Sequence, residues 1–148
     1  MTVTAARAAG TDVPSYSETW PCERASVPKA RQLVSTALSL WGMDNSARAA
    51  DVLLIASELV TNAVVHSGRR YFRLSVSRLG QTTVKVLVAD TSRTVPTVKS
   101  ASSDVESGRG LRLVQVLSVN WGYDRKCWGK AVWAVLEVPS VPARTQES

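Results

Sequence analysis

The chain has 148 residues, room for one domain and little more. Hydrophobic residues make up 45% and charged residues 20%, which excludes a disordered chain and allows a real core. The net charge of +6 would suit nucleic acid, but only Arg69-Arg70 and Arg125-Lys126 are adjacent and no basic stripe carries interleaved aromatics, so a solvated Arg-rich surface is the better account and no direct nucleic-acid contact is expected.

Residues 1–17 are rich in Ala and Thr, lack periodicity and carry Gly10 and Pro14, which predicts a flexible tail. Residues 17–20 are short and β-prone and read as an edge strand ended by Pro21. Ser26 is then expected to cap a helix with Pro28 in its first turn. Val27, Ala30, Leu33, Val34, Ala37, Leu38 and Trp41 fall at helical spacing, and Gly42 ends the helix. A second helix is expected from Asn45 or Ser46 to about Ser67, stopping at Gly68. Alternation comes next. Phe72, Leu74 and Val76 face one way, Arg73, Ser75 and Ser77 the other, and Gly80-Gln81 suits a hairpin turn. Val84, Val86 and Val88 share a face, with Asp90 next on it. A polar loop runs from there to about Ser107. Gly108-Arg109-Gly110 opens a third helix, and strands near residues 118–123 and 130–138 close the chain.

The order β-α-α-β-β-loop-α-β-β lacks βαβ alternation. It predicts an α+β fold: a two-layer α/β sandwich, its sheet mostly antiparallel, with helices on one face. The domain would span residues 18–138, with a polar tail over 139–148. Residues 1–20 contain no apolar stretch of signal-peptide length and nothing approaches a span of about 20 apolar residues, so no membrane association and a cytoplasmic location are expected. Cys22 and Cys127 form no CxxC pair and read as reduced thiols. With His66 the sole histidine, a zinc cluster is excluded.

Three segments could carry chemistry. In DVLLIASELVTNAVVHS, Glu58, Asn62 and His66 stand at i, i+4 and i+8 and form one polar stripe. A solvent face is the plain reading, yet the stripe holds no Lys or Arg and is flanked by apolar or small residues. A carboxylate one turn before a carboxamide can act as general base, with the amide oxygen free to ligate Mg²⁺. Asp90 lies at the end of an apolar strand, on the valine side. A core-facing carboxylate needs a hydrogen-bond partner. The exocyclic amine of adenine is one such partner, and a helix cap or a loop turn is the alternative. Ser107-Gly108-Arg109-Gly110-Leu111 puts two glycines before a helix, where the backbone can approach a phosphate and free N–H groups meet it. A plain loop-to-helix turn reads equally well. The Gly129-Lys130 pair lacks the Walker spacing.

The order of these segments resembles the Bergerat-fold ATP-binding superfamily, which includes gyrase, MutL-type proteins and histidine kinases. The resemblance is closer to its small anti-sigma-factor serine-kinase branch. SELVTNAVVHS looks like that branch's N box, DTSRTVP like its first glycine box, SGRGLRLV like its second, and WGYDRKCWGKAVWAVLEV like its closing strands. The resemblance implies ATP and Mg²⁺ as cofactors. It implies Glu58 as the general base toward a serine hydroxyl and Asn62 as the Mg²⁺ ligand. Asp90 would bind adenine, with Ser92 beside it where the family has glycine. That serine either narrows the adenine end or adds a hydroxyl to it. Gly108, Arg109, Gly110 and Leu111 would shape the lid against the phosphates. The implied activity is phosphorylation of a protein serine, with an anti-sigma-factor antagonist or a sigma factor as partner and a homodimer as a possible assembly. The alternative is a module that binds ATP and sequesters a partner without kinase activity. A complete histidine kinase core is disfavoured, because His66 lies inside the N box.

Overall fold

A computed structural model describes residues 4–7, 13–67, 70–92 and 106–139. Its elements are β1 (Thr4–Arg7), β2 (Pro14–Pro21), α1 (Ser26–Leu40), α2 (Ala49–Ser67), β3 (Tyr71–Arg78), β4 (Thr83–Asp90), α3 (Glu106–Leu117), β5 (Asn120–Lys126) and β6 (Gly129–Glu137). The strands form one sheet in the order β1-β2-β3-β4-β6-β5, with every neighbouring pair antiparallel.

Strand alternation decides where the core lies. Trp20 on β2, Phe72, Leu74 and Val76 on β3, Val84, Val86 and Val88 on β4, and Ala134 and Leu136 on β6 are all buried on one face. The helices cover that face. α1 packs on β2 and β3, α2 on β3, β4 and β6, and α3 against α2 and β5. The result is the two-layer α+β sandwich that the alternation predicts. The outer face is closed by polar contacts. Ser15 and Ser17 hydroxyls pair with those of Ser77 and Ser75 at 3.1 and 3.0 Å. The Lys85 ammonium sits 5.1 Å from the Trp133 ring centroid. Trp133 in turn lies over Gly122, its register partner on β5, where an added Cβ would be 2.8 Å from the indole.

Several local expectations change. The stretch expected as a tail contributes β1, and β2 starts at Pro14 rather than Ser17. Pairing with β3 continues through Ser15 opposite Ser77, and Tyr16 packs its ring 5.8 Å from that of Trp41, so the strand gains both ladder bonds and burial there. β1 therefore occupies the edge expected for residues 17–20. Ser26 is not the cap of α1. Ala25 holds that position without a side-chain bond, and the Ser26 hydroxyl donates to the Pro21 carbonyl at 2.8 Å, tying the helix start to β2. Gly42 does end α1. At φ +71° it lets its own N–H reach the Ser39 carbonyl and the Met43 N–H reach that of Leu38, a Schellman closure that seats Met43 in the core. α2 begins at Ala49, later than expected, because the Ser46 hydroxyl accepts the Arg48 N–H and holds residues 44–48 in turns.

α2 is long and apolar enough over Ala49–His66 to cross a membrane by composition, with mean hydropathy 1.4, where no such stretch was expected. Its Val52, Ile55, Ala56, Leu59, Val60 and Ala63 are nonetheless buried in the core. The hydropathy is that of a central helix touching sheet and helices together.

Candidate functional site

Asp90 is the last residue of β4 and faces the helices, continuing the row Val84, Val86, Val88. It is 3% exposed, and Lys130, its register partner on β6, is 5% exposed. Lys130 Nζ donates to Asp90 Oδ1 at 3.1 Å, and the Ser92 N–H donates to the same oxygen at 2.7 Å. A carboxylate offers about four acceptor positions, so capacity remains for a donor from a ligand. Burial makes each group depend on the other: losing one member would strand its partner, at about 3–5 kcal/mol.

The turn beside this pair needs glycine at Gly129. Its φ is +153°, and an added Cβ would run into the Asp90 carbonyl oxygen and lie 2.6 Å from Thr91 Cα. β6 thus starts by pressing its backbone against the end of β4, which brings Lys130 alongside Asp90.

Sequence reasoning missed Lys130. The signal was present: on β6, Lys130 stands in the same alternation as Val132, Ala134 and Leu136, so a core-facing lysine opens one strand just as a core-facing aspartate ends another.

Chain topology carries the N-box stripe toward this end of the sheet. Three residues separate the end of α2 from the start of β3, and Phe72 near that start is the register partner of Asp90. The half of α2 bearing Asn62 and His66 therefore lies over the Asp90 end. Glu58 and Asn62 are half-buried and His66 is exposed, so the stripe runs from the interior out to solvent. Asn62 Oδ1 is buried and accepts no hydrogen bond among the described residues. Leaving such an acceptor unmade costs about 1–3 kcal/mol, a deficit a ligand can relieve.

α3 carries the remaining candidate residues. Its C-terminal carbonyl at Leu117 accepts from the Arg48 guanidinium at 2.6 Å, which fixes that end beside the start of α2. α3 otherwise packs against α2 and β5. The helix starts at Glu106, not at the glycines: Gly108, Arg109 and Gly110 fall within its first five residues rather than before it. Their side-chain surroundings lie outside the described residues, as do residues 93–105 of the expected loop. Leu111 is buried in the core, so its side chain serves packing rather than ligand contact.

The donor set fits a magnesium nucleotide. An orphaned amide oxygen is a hard, uncharged donor, and Mg²⁺ takes only one or two protein ligands beside phosphate and water oxygens. Among the described residues no group of three or more His, Cys, Asp or Glu forms a denser metal site.

The chain belongs to the histidine kinase-like ATPase domain family, whose model matches residues 20–136. It is thereby an ATP-binding domain of the kinase-like ATPase class. Among solved structures it resembles the histidine kinase domain from the Erythrobacter litoralis EL346 blue-light activated histidine kinase, with TM-score 0.50 and 18% identity over 77% of this chain. It spans 60% of that chain's length, and at this identity the likeness concerns the fold. No curated protein matches significantly.

Proposed function

We propose that the protein is a serine-protein kinase of the partner-switching, anti-sigma-factor kind, acting on Mg-ATP. The observation that carries this reading is the buried Asn62 Oδ1, which has no hydrogen-bond partner among the described residues and stands one helical turn from Glu58 on α2. Asp90 would accept the adenine amine, with Lys130 and the Ser92 N–H holding its carboxylate in place. Asn62 would ligate Mg²⁺. Gly108 and Gly110 would let the first turn of α3 come close to the phosphates, with Arg109 adding charge. When bound, Mg-ATP supplies the transferable phosphoryl group and neutralises its charge. Glu58 would take the proton from the Oγ of a serine on the partner protein. The remaining catalytic power comes from positioning and electrostatics, which a domain this small can provide when the partner completes the site. The partner would be an anti-sigma-factor antagonist, with a sigma factor as the alternative ligand, in the cytoplasm.

The test is capture of partners from a lysate with and without Mg-ATP, followed by phosphosite mapping. A phosphoserine in the captured protein, absent with Glu58→Ala, supports the kinase. ATP-dependent capture without any phosphoserine selects a sequestering module instead.

A further inference from the structure

A second site lies on the other side of α1. A cavity of about 510 Å³ opens between β2 and α1, lined by Glu18, Tyr16, Trp20, Leu33 and Leu40 among others. None of Glu58, Asn62, Asp90 or Ser92 lines it, so its chemistry is independent of any kinase activity.

Glu18 is out of place there. Strand alternation puts it on the core face between Tyr16 and Trp20, opposite Leu74 of β3. It is 6% exposed, and its Oε1 is buried without a hydrogen-bond partner among the described residues. The polar groups of α1 nearby do not serve it. Gln32 Nε2 donates to Thr36, and Lys29 on the rim is exposed and makes no ion pair with it. A carboxyl group in such surroundings is unfavourable unless a donor reaches it. Its walls are otherwise mostly apolar, with Lys29, Gln32 and Thr36 as the remaining polar lining, and the volume falls in the range of about 300–1,000 Å³ typical of small-molecule sites.

We propose that this cavity binds a small organic cation: a primary ammonium carried on an aromatic or short alkyl arm. The ammonium donates to the Glu18 carboxylate, and the arm fills the space between Trp20, Leu33 and Leu40. Charge and shape select together. A neutral analogue keeps the arm but loses the charge-assisted bond, and an anionic analogue meets a like charge.

The experiment is titration of the full chain with phenethylammonium, followed by NMR of the α1 backbone amides and the Trp20 indole. Phenethyl alcohol and 3-phenylpropionate serve as controls. Saturable shifts are expected for the ammonium. Affinity should be at least about tenfold lower for the alcohol, and lower by the same factor for Glu18→Gln, which preserves volume. Equal binding of amine and alcohol would overturn the proposal, and would do so even if Glu18→Gln proved unstable. So would absence of saturable shifts in the wild type, including the case where Lys29→Met alone binds the amine, which would make Lys29 the native partner of Glu18.

Discussion

Lys130 and Asp90 face each other across two adjacent strands, 3.1 Å apart from Nζ to Oδ1 and both almost out of solvent. In the proposed site, base recognition and stability would therefore share one carboxylate. Asp90→Asn keeps the shape and an acceptor for Lys130 while placing a donor toward the adenine amine. We expect ATP affinity to fall more than about tenfold by titration calorimetry. An unchanged affinity would remove Asp90 from the base.

The same pair predicts a stability cycle. Asp90→Ala strands a buried ammonium and should lower unfolding free energy by about 3–5 kcal/mol in urea titrations. Asp90→Ala combined with Lys130→Met should recover much of that loss. Additive losses in the double variant would show that the two groups are not coupled.

Asn62 should behave in the opposite way. Its Oδ1 makes no bond among the described residues, so Asn62→Ala sacrifices little in the free protein. We expect a midpoint of denaturation close to wild type, together with a fall in Mg-ATP affinity and loss of its Mg²⁺ dependence. Wild-type Mg-ATP affinity in this variant would contradict the metal role.

Gly129→Ala tests the close approach at the head of β6. The added methyl meets the Asp90 backbone, and the positive φ adds its own strain. Destabilisation of about 1–3 kcal/mol is expected, with weakened nucleotide binding, because Lys130 can no longer sit beside Asp90. A stable variant with unaltered affinity would show that the β4–β6 end tolerates separation.

Glu137 provides a pH signature far from the site. Hydroxyls of Thr82 and Thr83 each donate to its carboxylate at 2.8 Å and hold its pKa below the ordinary carboxylate value. A depressed carboxylate favours the fold above its unfolded pKa and gives that up as pH falls through the folded one. The group is fully exposed, so the contribution is small. In Thr82→Ala/Thr83→Ala, an NMR titration should find the Glu137 carboxyl pKa raised toward normal. An unmoved titration would rule out the hydroxyls as its cause.

What could be read from the chain alone was whatever depends on local period. The apolar stripes of α1 and α2, the β3–β4 hairpin and the placement of Asp90 on the valine face all arise from spacings of two or three to four residues. Gly42 was legible as a stop because few residues other than glycine adopt its φ. The partner of Asp90 was not, because Lys130 is brought to it by register between strands forty residues apart in sequence. The start of α3 was misjudged for a related reason. Glycine is a poor helix former, yet Leu111 and Val114 packed in the core support a helix that includes Gly108 and Gly110. β1 escaped notice because its four residues carry no alternation of their own and take their conformation from β2.

The indole of Trp133 over Gly122 ties two distant positions into one heritable unit. Any side chain at 122 would intrude on the ring, and any smaller residue at 133 would leave bare the backbone that the ring covers and unseat Lys85. Among relatives, glycine at the one position and tryptophan at the other should therefore be gained and lost together, so that the outer face of this sheet leaves a trace in sequence variation that the buried core, with its interchangeable aliphatics, does not.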